Sequence, residues 1–193
     1  MLTTNIILII IFYLIGSLPF AFILTRLSGL GDIRNIGSGN IGATNVLRTG
    51  NKLLAFLTLF LDILKGYLTI FLALKYFPEY IFFSGLICFL GHIFPVWLNF
   101  KGGKGIATYL GILLAISFNL AIIFCITWIL ILLTFRYSSL SSILGSLCVF
   151  IATLIFKMPE PNIIFFIFFM IIIFTHKENI IRLKNKNESK IKF

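Results

Sequence analysis

The chain has 193 residues, of which 60% are hydrophobic and 11% charged, with 23 Phe and a formal net charge of +10. A soluble domain is about half apolar and about a quarter charged, so too little polar surface remains here to cover a globule in water. An ordinary soluble enzyme is thereby excluded, and the scarce charge of a membrane protein becomes the feature to follow.

The first predicted element runs near 4–24, where Asn5 to Leu24 carries no formal charge. That matches the roughly 20 apolar residues a bilayer core requires. It lacks a basic leader and an Ala-x-Ala-like cleavage site, and further apolar spans follow, so it reads as a retained helix and not a signal peptide. The polar segment 25–52 comes next and contains Gly37-Ser38-Gly39-Asn40-Ile41-Gly42-Ala43-Thr44-Asn45-Val46-Leu47-Arg48. Its GxGxxG spacing is not a dinucleotide fingerprint, because no buried strand or βαβ unit flanks it. Closely spaced glycines still let backbone N–H groups turn toward an anion. Ser38, Asn40, Thr44 and Asn45 add neutral donors, and Arg48 offers a planar fork suited to phosphate. Taken alone, the segment also reads as a flexible loop into the next span.

A second span near 53–74 contains Asp62 and Lys65, three residues apart. Charge at mid-membrane costs roughly 2.5–3.5 kcal/mol on insertion scales, so the two are expected to pair or to face polar neighbours, and to serve structure or support the site from behind without taking part in catalysis. A third span near 79–98 holds His92. A His-x4-Asp acyltransferase dyad would put an acid at position 97, but Trp97 stands there, so His92 reads as a polar packing residue. Asn99-Phe100-Lys101-Gly102-Gly103-Lys104-Gly105 then opens the fourth span. Amides at a helix start attract anions, and Lys101 and Lys104 add charge. The Walker spacing is absent, and a glycine-rich turn with ordinary basic residues fits equally well.

The fourth and fifth spans, near 105–118 and 119–135, are joined by Ser117, Phe118 and Asn119 and read as a tight hairpin. One long bent helix, giving six spans in all, is the alternative. Arg136 to Ser142 supplies hydroxyls, including Ser139, at the start of a span near 139–156, where serines that simply cap a membrane helix are the commoner reading. The last span, near 161–176, runs into Thr175-His176-Lys177-Glu178-Asn179-Ile180-Ile181-Arg182-Leu183. His176 and Asn179 share a helix face, although most of this stretch also reads as a membrane-exit anchor for anionic headgroups. Ile181 lies five residues after His176, so no dyad occurs there either. Cys88, Cys125 and Cys148 sit in apolar stretches without metal or disulfide spacing. No metal or cofactor is expected.

Seven spans place the termini on opposite sides. Arg26, Arg34, Arg48, Lys52, Lys101, Lys104, Arg136 and the basic tail then share one side, against Lys75 and Lys157 on the other. The positive-inside rule puts the N-terminus outside and the C-terminus in the cytoplasm. The expectation is one all-α integral membrane domain over 1–193, with its basic loops on the cytoplasmic face. No internal repeat is evident, which weighs against a transporter built from inverted repeats.

Three motifs, GSGNIGATNVLR at 37–48, GHIFPVWLNFKGGKGIAT at 91–108 and HKENIIRLKNK at 176–186, together resemble the PlsY-type acyl-phosphate:glycerol-3-phosphate acyltransferases. DILKG at 62–66 and the serines near Ser139 fit as well. The resemblance implies seven transmembrane helices in the bacterial inner membrane and a cytoplasmic active site. It implies acyl transfer from acyl phosphate to the sn-1 hydroxyl of glycerol 3-phosphate, giving lysophosphatidic acid and phosphate. Neither an acyl-carrier protein nor a coenzyme A thioester would be the direct donor.

By motif position, Ser38, Arg48, Lys104 and Asn179 are the implied catalytic residues. Gly37, Gly39, Asn40, Thr44, Asn45, Lys101, Gly102, Gly103, Ser139 and His176 are the implied substrate-binding set. Implied partners are acyl phosphate, glycerol 3-phosphate, membrane lipids and a soluble acyl-phosphate-producing acyltransferase, with no nucleic acid. Two rival readings use the same basic loops. An organic-anion transporter would need polar or broken helices at mid-membrane, where Asp62 and Lys65 alone look ionisable. A lipid-binding scaffold would not require Gly, Asn and Arg arranged as at 37–48.

Overall fold

Backbone N–H and C=O groups cannot stay unpaired in hydrocarbon, so an apolar chain of this composition must close its hydrogen bonds within helices or a closed barrel. The computed structural model describes residues 2–157 and 161–191, and the described residues form helices and connecting turns with no strand. The chain divides into two compact units, Met1–Ile116 and Ser117–Phe193.

The first unit holds α1 (Leu2–Ser17), α2 (Phe20–Leu27), α3 (Ala43–Leu47), α4 (Lys52–Tyr76), α5 (Ile81–Ile93) and α6 (Ile106–Ile116). The predicted span near 4–24 is bent by 43° between α1 and α2. Pro19 explains the break: it has no N–H to donate, and its ring pushes Leu18 out of the helical region. The Asn51 side chain caps α4 by accepting from Leu54 N at 3.0 Å. Short 3₁₀ turns, Pro78–Tyr80 and Val96–Leu98, flank α5 and extend that apolar stretch to 21 residues.

The second unit holds α7 (Phe118–Phe135), α8 (Ser138–Ile155), α9 (Asn162–Thr175) and α10 (Lys177–Lys184). Ser141 and Ser142 on α8 donate to the carbonyls of Tyr137 and Ser138, four residues back, so these buried hydroxyls are paired within their own helix. Trp128 of α7 donates its indole N–H to Ser142 at 3.2 Å. Between α9 and α10 the chain turns by 62°, so the last predicted span ends at Thr175.

Among the described residues, four helical stretches can cross a membrane by length and composition, or up to six if each bent pair counts as one span. The fourth predicted span holds α6, an apolar helix of 11 residues, about 16 Å long at 1.5 Å per residue. Ser117, in extended conformation, lies between α6 and α7. Ile126, Ile129, Leu130 and Leu133 of α7 remain exposed, which suits hydrocarbon and not water.

Small residues bring the helices of the first unit together, as is usual where no hydrophobic drive separates protein from lipid. A Cβ on Gly111 would lie 1.9 Å from Ile63 O, and one on Gly66 would lie 2.3 Å from Thr108 O, so α4 and α6 touch backbone to backbone. Gly16 and Gly91 make the same approach between α1 and α5, at 2.0 Å from Cys88 O and 2.4 Å from Tyr13 O. Overpacking of this kind costs about 1–3 kcal/mol even where side chains can adjust. Gly111→Leu is therefore expected to lower the apparent melting temperature in detergent and the yield of monodisperse protein. An unchanged melting temperature would contradict the α4–α6 contact.

Candidate active site

The segment 28–51 is held by its apolar residues. Ile33, Ile41 and Val46 are buried with Ala21, Leu54, Ala55 and Leu98 in one cluster. That anchoring leaves Ser38 and Arg48 exposed and Asn40 and Thr44 half-buried. Asn45 behaves differently. It is 1% exposed, and its amide is spent on the loop itself. Asn45 Oδ1 accepts from Ser38 N at 2.9 Å, while Nδ2 donates to the carbonyls of Ile33, Ile36 and Asn40 at 3.2, 2.8 and 3.0 Å. One side chain thereby sets the shape of 33–45. Gly37 takes φ +57, and a Cβ there would meet Asn45 Oδ1 at 2.4 Å and Arg48 Cδ at 3.0 Å. Only glycine tolerates both the left-handed backbone and the crowding, so Arg48 and Ser38 are gathered beside this residue.

The second glycine-rich segment doubles back on the end of α5. Asn99 and Phe100 adopt positive φ, at 52° and 59°. Gly102 N then donates to Ile93 O at 3.0 Å, and Gly103 N to His92 O at 3.2 Å. The turn is fastened to α1 by Tyr13, whose hydroxyl donates to Phe94 O at 2.6 Å, and by Ser17 Oγ, which accepts from Val96 N at 3.1 Å. Lys101 projects exposed and Lys104 is half-buried. The two glycine-rich segments meet at Gly103, where a Cβ would lie 2.5 Å from Ile41 O and 2.2 Å from His92 Nε2.

Below this junction is a charged cluster that the motif reading left outside the site. Lys65 Nζ lies 2.8 Å from Asp62 Oδ1, and His92 Nδ1 lies 3.6 Å from the same oxygen. The expected pairing of Asp62 with Lys65 is thus present. The ion-pair distance is short, but its direction is poor, because Asp62 Oδ1 has no hydrogen bond of good geometry. A small recess is lined by Ser17, Leu18, Pro19, Phe20, Ile41, Asp62, His92, Pro95, Gly102 and Gly103.

In the second unit the structure links Ser139 and Asn179 through a residue that the sequence reading did not single out. Glu188 Oε1 accepts from Ser139 Oγ at 2.7 Å and from Asn179 Nδ2 at 2.6 Å, while Oε2 accepts from Arg182 Nε at 2.8 Å. Arg182, read as a headgroup anchor, is here also a clamp. An acid near the end of a lysine-rich tail was the available signal. His176 is buried, and its Nδ1 lies 2.8 Å from Ile172 O. A carbonyl can only accept, so the proton sits on Nδ1 and Nε2 is the acceptor of the neutral ring. Among the described residues no group of three or more His, Cys, Asp or Glu is placed to hold a metal ion.

Partial burial pushes the Glu188 carboxyl up, but hydrogen bonds from Arg182, Asn179 and Ser139 together outweigh it and hold the group below the usual range. A depressed carboxylate contributes stability that is complete above its unfolded value, about 4.3, and lost as pH falls through the folded one. The tail returns through Asn187 N to Arg182 O and Ile191 N to Arg136 O, both at 2.8 Å. Amide exchange at these two positions, corrected for intrinsic rate, is expected to stay slow at neutral pH and to rise below about pH 4. Glu188→Gln should release both amides at pH 7, and unchanged protection in that variant would contradict the clamp.

The family model for glycerol-3-phosphate acyltransferase matches residues 6–186. The glycerol-3-phosphate acyltransferase of Pelagibacter ubique (strain HTCC1062) is 53% identical over 180 residues, 93% of this chain and 94% of that protein. That of Mesorhizobium japonicum is 49% identical over 191 residues, 98% of each. Two crystal structures of PlsY (YgiH), an integral membrane glycerol 3-phosphate acyltransferase, are also similar. Its glycerol 3-phosphate form superposes with a TM-score of 0.91 at 39% identity, covering 98% of this chain and 96% of that one. Its lysophosphatidic acid form gives 0.89 at 37%, with the same coverage. With relatives of this kind and helices of this length, the chain is a multi-pass membrane protein, and it belongs to the bacterial glycerol-3-phosphate acyltransferase family of PlsY type.

Proposed function

We propose that this enzyme transfers a fatty acyl group from acyl phosphate to the sn-1 hydroxyl of glycerol 3-phosphate, releasing lysophosphatidic acid and phosphate. The observation that carries the reading is the junction at Gly103, where two glycine-rich segments bearing Arg48 and Lys104 are packed against each other. Both proposed substrates carry phosphate, so two neighbouring anion-handling segments suit the pair. The crystallised relative in its glycerol 3-phosphate and lysophosphatidic acid forms supports the same substrate and product.

The sn-1 oxygen attacks the acyl carbonyl carbon, the carbon–oxygen bond to phosphate breaks, and the hydroxyl proton passes to a substrate phosphate. Acyl phosphate is a mixed anhydride with a good leaving group, so no covalent nucleophile is required. Rate comes from orientation and from charge neutralisation on the departing phosphate. Arg48 and Lys104 grip glycerol 3-phosphate with help from Lys101. Ser38, Asn40 and Thr44 cradle phosphate, while Gly37, Gly39, Gly102 and Gly103 act with Asn45 by shaping the two loops, since the Gly39, Gly102 and Gly103 amides donate to the carbonyls of Ile36, Ile93 and His92. Ser139, His176 and Asn179 are assigned to the same reaction by motif position. The seven-span topology, with the N-terminus outside and the reaction on the cytoplasmic face, belongs to this proposal. So does the supply of acyl phosphate by a soluble partner enzyme.

The test is steady-state phosphate release by purified protein given palmitoyl phosphate and glycerol 3-phosphate. Release should require both substrates and match lysophosphatidic acid mole for mole. Arg48→Ala and Lys104→Ala are each expected to lower turnover by about 100-fold or more, and Asn179→Ala by at least about tenfold. Lys190→Ala, at an exposed tail residue, should stay within about twofold. Normal kinetics in both the Arg48 and Lys104 variants would remove the assigned site, and an equal loss at Lys190 would point to bulk charge.

A further inference from the structure

Among the described residues, Asp62 and Lys65 are the buried members of the Asp, Glu, Lys and Arg set, and His92 joins them at 8% exposure. The proposed reaction assigns no step to any of the three. Stability alone is a poor reason for them, because a buried ion pair can often be exchanged for apolar residues without loss. Their place in the fold is more telling. Lys65 Nζ donates to Leu18 O at 2.8 Å, which ties α4 to the break between α1 and α2. The same ammonium holds Asp62 Oδ1 at 2.8 Å, and Asp62 faces His92 Nδ1 at 3.6 Å. That last distance is longer than a hydrogen bond, and such contacts commonly tighten in the reactive complex.

His92 touches the glycine-rich turn with both backbone and ring. Its carbonyl accepts from Gly103 N at 3.2 Å. Its Nε2 lies so close to Gly103 that a Cβ there would come within 2.2 Å. Ile41 O lies 2.5 Å from the same point, so the His92 ring is the floor on which the two segments meet. The recess that reaches Ser17, Leu18, Ile41, Asp62, His92 and Gly103 shows that the cluster opens toward both segments.

We propose that Asp62, Lys65 and His92 form a positioning cluster that fixes the Gly102–Gly103–Lys104 backbone against the Ile41 segment for acyl transfer. Lys65 neutralises Asp62, Asp62 orients the His92 ring, and the ring sets the height of Gly103 and hence of Lys104. None of the three touches substrate. The proposal rests on the reading of Arg48 and Lys104 as phosphate-handling residues. It explains why costly charge is retained beneath that turn.

The experiment compares wild type with His92→Phe, His92→Gln and the double variant Asp62→Leu/Lys65→Met, alongside Arg48→Ala. The readouts are kcat, KM for glycerol 3-phosphate and melting midpoint in detergent, with rates expressed per folded molecule. A misplacement of about 1 Å can cost about 100-fold, so kcat is expected to fall by that order in His92→Phe and in the double variant. KM should move less than about threefold, and the double variant, which also loses the Lys65 bond to Leu18 O, should still fold with a cooperative melt. His92→Gln, whose amide can still donate to Asp62, should recover about tenfold over His92→Phe. Should His92→Phe fail to fold, the double variant decides by itself. Cluster variants within about twofold of wild type per folded molecule would overturn the positioning role alone, provided that Arg48→Ala is impaired. No turnover by wild type with both substrates would overturn the acyl-transfer reading and this proposal with it.

Discussion

Two glycine-rich segments meet where position 103 lacks a side chain. Any Cβ would collide with Ile41 O on one side and the His92 ring on the other, so the approach depends on glycine there. From this contact the rest of the first unit can be followed outward. The turn at 99–105 is locked to the end of α5 by Gly102 and Gly103, and to α1 by Tyr13 and Ser17. The 33–48 segment is locked by the Asn45 amide and by Ile33, Ile41 and Val46 in the core. What results is a rigid backbone surface with two cations attached, Arg48 and Lys104. Such a surface can stabilise charge that develops on a leaving phosphate without reorganising at the moment of reaction.

The membrane imposes the division of labour. Hydrocarbon penalises charge, so basic residues gather in loops, at helix ends and in the tail, and the helices of the first unit pack through Gly16, Gly66, Gly91 and Gly111. Where charge is retained inside, it is paired, as in Asp62 with Lys65. Where an acid appears in a basic tail, it is saturated by donors, as in Glu188. Both acids hold polar segments in place.

Much of this was legible in the sequence because apolar run length is a strong signal. Lys52–Tyr76, Phe118–Phe135 and Ser138–Ile155 fall within one or two residues of the spans read from hydropathy. The bend at Leu18–Pro19 was hidden because hydropathy is blind to a missing N–H. The shortness of α6 was hidden because glycine and apolar residues on both sides of its ends look alike to a hydropathy window. At the site, glycine spacing and basic residues marked both loops. It could not reveal that Asn45 faces inward, since an asparagine that shapes a loop and one that binds a ligand look the same in a sequence. Glu188 escaped notice because its three donors come from positions up to 49 residues away. His92 was seen as a polar packing residue, and its contact with Gly103 follows from a chain reversal that local pattern does not encode.

The central claim is direct transfer between two phosphate-bearing substrates on a preorganised surface, with no acyl-enzyme. Rapid-quench measurement of phosphate release from palmitoyl phosphate tests it most directly, with enzyme in stoichiometric amount and glycerol 3-phosphate either absent or present. The account predicts no phosphate burst without glycerol 3-phosphate, and prompt release matched by lysophosphatidic acid when it is added. A stoichiometric burst with acyl-modified protein in the absence of glycerol 3-phosphate would contradict it.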